Sequence, residues 1–132
     1  MRKSKSAENR VMDEFLAPAN FLLKLSGRAY EKYMANKIYL HALNIRKANE
    51  MIYRLILEKI HLVPEKLQYD CVELLNHYDC WMLQFKDEEQ KRKPALTDEF
   101  IFQRADGQMA YPRSSEQHIF DTYLKFNKQK NK

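Results

Sequence analysis

The sequence is short of the residues that bend, break or staple a chain. Its 132 residues include two glycines, four prolines and two cysteines. Glycine and proline supply much of the turn geometry a many-stranded sheet needs, so their scarcity argues against an all-β fold. Cys71 and Cys80, placed on one helix, would stand about 13 Å apart, beyond disulfide reach. They read as free thiols in a reducing compartment. No apolar run approaches the ~18 residues that a membrane-spanning helix requires. Asp13 and Glu14 interrupt the N-terminal region before the apolar core of a secretory signal could form, which makes the cytoplasm the expected location. With glycine only at Gly27 and Gly107, no glycine-rich phosphate loop can be built, and the common nucleotide-dependent catalysts are excluded.

What is present is apolar, aromatic and unevenly charged. Hydrophobic residues make up 45% and aromatics 12% of the chain, enough to bury a core, and the length suits one domain. The net charge is +5, but residues 1–10 carry +3 and residues 123–132 carry +4, leaving −2 for residues 11–122. The basic character therefore belongs to the ends. The expected organisation is a disordered basic arm over 1–6, a single helical-bundle domain over 7–127 and a disordered lysine-rich tail over 128–132. Inside the domain, residues 21–60 hold eight Lys/Arg against three acids, and residues 61–99 hold five against nine. Two such segments are complementary, and each is suited to pair with the other or with a second copy of the chain.

The stretch 29–85 has no glycine and one proline, Pro64. Tyr30, Met34, Ile38, His41, Ile45, Ala48, Ile52, Ile56 and Ile60 recur at steps of three and four, which predicts one long helix from Arg28 to about Leu62. His41 is the polar exception on that inward stripe, and Glu50, Arg54 and Glu58 mark its solvated side. A shorter helix over 7–16 is expected, with Pro18 forcing a break or kink and Ser26-Gly27 punctuating the apolar cluster that follows. Pro64 marks the next turn, and Leu67, Cys71, Leu74, Tyr78, Trp81, Met82 and Phe85 form the stripe of a helix from about Pro64 to Gln90. Asp106-Gly107 predicts a small β-hairpin over 99–111 that docks through Phe100 and Phe102. Ser114 with Gln117 reads as a capping box opening a last helix to about Asn127. The expected fold is mainly α: a helical bundle built on a long antiparallel helix hairpin, with a small β-hairpin before the C-terminal helix.

Arg113 and His118 are the sharpest catalytic candidates. An arginine can hold a phosphate while a histidine moves the proton of a 2′-hydroxyl. The spacing resembles the R-x4-6-H motif of HEPN-domain ribonucleases, all-helical proteins in which those two residues lie near the start of a late helix. The resemblance implies metal-independent RNA cleavage. Arg54 and His61 fall in the same spacing window. Asp70, Glu73 and His77 share a helix face suited to a metal, but that face lies opposite the apolar stripe, so no metal and no cofactor is expected. Lys24, Arg28, Lys32, Lys37, Arg46 and Lys47, with the basic tails, are the candidates for nucleic-acid contact.

Tyrosine, tryptophan, phenylalanine and methionine are also the types enriched in interfaces, and Tyr39, Leu43, Tyr53, Leu57 and Trp81 are the interface candidates. The apolar surface of the long helices exceeds what one small bundle would cover, which points to a homodimer. The leading expectation is a small cytoplasmic, non-enzymatic binding or assembly protein acting through helix faces on itself and a protein partner, without a membrane. Nucleic-acid binding and a HEPN-like ribonuclease are the alternatives.

Overall fold

Pro18 does not end the first helix. A computed structural model describes the backbone of residues 2–101 and 111–130, and the side chains of 7–101 and 111–129. Helix α1 (Arg2–Val11) runs through a π turn at Met12–Leu16 into α2 (Ala17–Ala35) without leaving helical dihedrals. Proline lacks an N–H and its ring crowds the carbonyl four residues back, which would break a regular α-helix. Here the ladder widens first: the Ala17 N–H reaches back to the Met12 carbonyl, and Pro18 falls in the first turn of α2. The widened turn places Met12, Phe15 and Leu16 in the core. Glu14 on the same turn accepts from Arg10 (2.9 Å) and Lys59 (3.3 Å), and those two cations hold its carboxyl down at about 2.

Gly27 is likewise no break; it sits inside α2, and nothing lies within 4 Å of where a Cβ would be. The interruption falls instead at Asn36, whose φ of −152° is extended, before α3 (Tyr39–Glu58). The first amides of a helix have no partner within it. Here a non-helical strap, residues 93–101, supplies them: Tyr39 N–H donates to the Asp98 carbonyl and Leu40 N–H to that of Leu96, both at 2.9 Å. Phe100 N–H donates to the Lys37 carbonyl (2.9 Å), and Ile38 and Glu99 form one antiparallel bridge. A 35-residue helix is thus corrected to two helices, because a distant segment caps the second. No strand occurs among the described residues, and the expected β-hairpin falls largely on residues 102–110, outside them.

After two single 3-10 turns, Ile60–Leu62 and Glu65–Leu67, comes α4 (Gln68–Arg92). It ends where Lys93 adopts a left-handed φ of 47°, followed by Pro94. Helix α5 (Arg113–Lys130) starts on the Pro112 carbonyl, which accepts the Ser115 and Glu116 N–H groups. The capping box is not formed: Gln117 donates to Asp121 (2.8 Å), and it is Ser115 rather than Ser114 that is buried.

Helix α2 packs on α3, α3 on α4, α4 on α5, and α5 back on α2 and the π turn, closing a four-sided bundle. Its core has two parts. One joins Phe15, Leu16, Ile52, Ile56, Leu67, Leu74, Tyr78 and Ile119 with their neighbours. The other gathers Tyr33, Ala42, Ile45, Trp81, Phe85 and Phe100 under the strap.

Candidate functional site

Two concave features and one polar cluster stand out. On the outer side of the α2–α3 seam, a groove of about 460 Å³ is walled by Arg28 and Lys32 from α2 and by Lys47 and Arg54 from α3. Residues one or two turns apart share a helix face, so the four cations line up along two facing helices. His41 and Asn44 lie beside them over an apolar floor of Leu25, Ala29, Ala48 and Met51, and Glu50 is the one acid in the wall. Arg28 also pairs with Glu31 at 3.0 Å, but both side chains are about two-thirds exposed, where such pairs hold weakly. His41, expected on the inward stripe, borders this outer groove, and its buried Nδ1 has no hydrogen-bond partner.

Three of the six basic candidates, Arg28, Lys32 and Lys47, therefore share one surface. Arg46 turns the other way: it pairs with Glu89 (3.0 Å) and lies over the Phe85 ring. Lys24 lies over the Phe120 ring, and Lys37 faces the cavity described below. Arg54 was readable only as part of a solvated charge stripe. Knowing that it faces Arg28 and Lys32 required knowing which helix faces meet.

The interface candidates are placed mostly inside the chain. Trp81 stacks on Phe85 with ring centroids 5.2 Å apart, Tyr39 donates to Glu89, and Leu43 and Tyr53 pack at the edges of the two clusters. Leu57 is the exception, half exposed. The apolar breadth of α3 and α4 is largely taken up by α2, α5 and the strap.

The second concave feature is a cavity of about 590 Å³, open to solvent on one side, at the junction of the two core clusters. Tyr78 of the first cluster and Trp81 and Phe85 of the second all line it, with Tyr30, Tyr33 and Tyr111. The cavity opens to solvent where the exposed Tyr30, Met34, Lys37, Arg113 and Gln117 form its rim, so it holds water when no ligand is bound. Its polar wall contains the Ser26 hydroxyl bonded to Asn49 (2.8 Å), Lys37, Arg113, Gln117, and Glu116, which accepts from the Tyr111 hydroxyl. Burial pushes the Tyr78 and Tyr111 hydroxyls far above the usual phenol range.

Arg113 and His118 do not meet. Arg113 opens onto the cavity from the α2 side of α5. His118, five residues on and so turned by about 140°, donates through Nδ1 to the Oδ1 of Asp70 on α4 at 3.0 Å. That oxygen also accepts from Ser115 Oγ at 3.1 Å. Asp70 is buried while the His118 side chain is 58% exposed. The cluster ties α4 to α5, and the arginine of the motif is not part of it. Of the metal-face residues, Asp70 is committed to α5, Glu73 accepts from Tyr69, and His77 lines the cavity. Among the described residues no three metal-ligating side chains converge, and no helix is long and apolar enough to cross a membrane.

The two cysteines differ sharply. Cys71 is buried, and burial, with the charge of Asp70 beside it, pushes its thiol up to about 12. Cys80 is exposed. A thiol is reactive as the thiolate, so Ellman's reagent at pH 8 should titrate one thiol per native chain and the second only after unfolding; two fast equivalents would contradict the burial. Because the folded value exceeds the unfolded one of about 9.0, the stability it contributes is complete below pH 9 and is lost as pH rises toward 12.

Comparison with known proteins finds no family model, no curated protein and no solved structure that matches the chain.

Proposed function

We propose that this is a small helical binding protein that acts through its helix faces and takes a single-stranded nucleic acid as its partner along the α2–α3 groove. The observation that carries this reading is the alignment of Arg28, Lys32, Lys47 and Arg54 over an apolar floor, against Glu50 alone in the same wall. Four cations on two facing helices present repeated phosphate contacts, and the half-exposed Met51 and Leu25 give bases an apolar surface to lie on. The basic ends add non-specific attraction.

Three or four phosphate contacts predict a steep salt dependence. Affinity for single-stranded RNA or DNA should fall roughly 20- to 50-fold between 50 and 200 mM salt, from a slope of about −0.7 per contact. Lys47→Glu with Arg54→Glu should weaken binding by about tenfold or more at low salt, while deleting residues 125–132 alone should cost less. A salt-insensitive signal, or full affinity in the charge-reversal variant, overturns the reading.

The second reading, self-association, is favoured by the large apolar side chains of Phe21, Leu57, Ile60, Tyr69, Val72 and Leu83, each at least half exposed. Light scattering at micromolar concentration should then give twice the chain mass, and Leu57→Glu should return it to one. A strict monomer at all concentrations rejects the dimer and leaves the groove reading standing.

A further inference from the structure

We propose that the cavity at the junction of the two core clusters is a binding site for a small planar aromatic anion. Its volume of about 590 Å³ lies within the range of small-molecule sites, which are concave, mostly apolar and marked by a few placed polar groups. Tyr30 and Tyr33 from α2 and Trp81 and Phe85 from α4 offer ring faces and edges, the surfaces on which a flat aromatic ligand stacks. Positive charge stands at two separate points of the wall, Lys37 at the α2–α3 turn and Arg113 at the first residue of α5. Neither forms an ion pair among the described residues. The first turn of α5 contributes Arg113, Glu116 and Gln117 to the same wall, so the positive end of that helix adds to the attraction for an anion.

Buried polar groups line the same wall. Asn49 is 3% exposed and held by Ser26, and Tyr78 is 1% exposed with its hydroxyl beside that of Tyr111. Buried polar groups are normally satisfied within the protein, and these two pairs set polar atoms into an otherwise apolar wall. The one acid in the described walls, Glu116, is engaged by the Tyr111 hydroxyl. The ligand's anionic group is therefore placed toward Arg113 and the α5 N-terminus, with its ring between Trp81 and the tyrosines and Lys37 adding positive charge from another point of the wall. The site lies on the opposite side of α2 from the basic groove and stands or falls independently of it.

The chain carries its own reporter, since Trp81, its only tryptophan, lines the cavity. Tryptophan emission would be followed while adenosine monophosphate, adenosine and inorganic phosphate are titrated in turn, with 2-naphthoate and its neutral alcohol as a second pair. The expected result is saturable quenching by a charged aromatic, about tenfold or more weaker with its neutral counterpart and with phosphate alone, the size of one charge-assisted hydrogen bond. Arg113→Gln should weaken the anionic probe by a similar factor and leave the neutral one unchanged. Lys47→Glu with Arg54→Glu, which weakens the outer groove, should change neither. No saturable response to adenosine monophosphate or 2-naphthoate overturns the proposal, and so does equal binding of charged and neutral probes.

Discussion

Replacing Phe100 by alanine is expected to destabilise the protein by about 3–5 kcal/mol, the range for removing a fully buried phenylalanine ring. For a chain of 132 residues that is a fall in melting temperature of roughly 10–20 °C. The size follows from the number of elements this residue joins. Its ring is fully buried, with centroids 5.2 Å from Tyr39 and 5.3 Å from Phe85, and Arg92 lies over it at 5.7 Å. Its carbonyl accepts from the buried Tyr33 hydroxyl at 2.8 Å, while its N–H binds Lys37. The strap reaches the bundle through this one large side chain. The backbone bonds survive the substitution, but the ring that fills the space between α2, α3 and α4 does not. Phe100→Leu, which keeps most of the volume, should lose about 1–1.5 kcal/mol. Equal, small losses from both changes, read by chemical denaturation, would mean that the strap is held by its backbone alone.

The second large effect is expected at Asp70. Alanine there should cost about 2–4 kcal/mol, because two donors lose their acceptor and Ser115, 2% exposed, is left buried and unpaired. Asparagine should cost less, since its amide oxygen can still accept one of the two bonds. His118→Ala should cost under about 1 kcal/mol, its ring being more than half in water. The order Asp70→Ala, Asp70→Asn, His118→Ala therefore separates a structural tie from a site centred on the histidine. If His118→Ala were the most damaging of the three, the tie would have been assigned to the wrong partner. Asp70 also sits in the first turn of α4, where a carboxylate suits the helix end, so part of the loss in the alanine variant is local.

The inward stripe running into α4 was legible from spacing: Leu67, Cys71, Leu74, Tyr78, Trp81 and Phe85 are buried, and Met82 is partly so. So was the middle of α3, Ile45 to Ile56. The stripe failed at its ends, where Tyr30, Met34 and Ile60 are about half exposed. Periodicity cannot register that Asn36–Ile38 leaves the helix, because what stabilises the break is a set of carbonyls some sixty residues away, at Leu96 and Asp98. At Pro18, where a break or kink was expected, the chain makes a local widening instead of a break: the π turn just before the proline removes the clash that a regular ladder would suffer. The grooved sites were the least legible. Lys47 and Arg54 come together with Arg28 and Lys32 only once α2 is known to lie beside α3, and the cavity exists only where two clusters fail to merge.

The strap has a consequence for synthesis. Tyr33 meets its acceptor 67 residues later in the chain, and Asp70 waits 45 residues for Ser115. A growing chain that has already made α2, α3 and α4 still has Ile45, Ile52, Ile56 and Leu74 without the residues that cover them, because Phe100 and Ile119 have not been made. At the ordinary pace of translation, ~5–20 residues per second, that interval lasts seconds, long enough for collapsed chains to stick to one another. The most vulnerable form of this protein is therefore the nascent helical chain that has reached Arg92 and not yet Ile119.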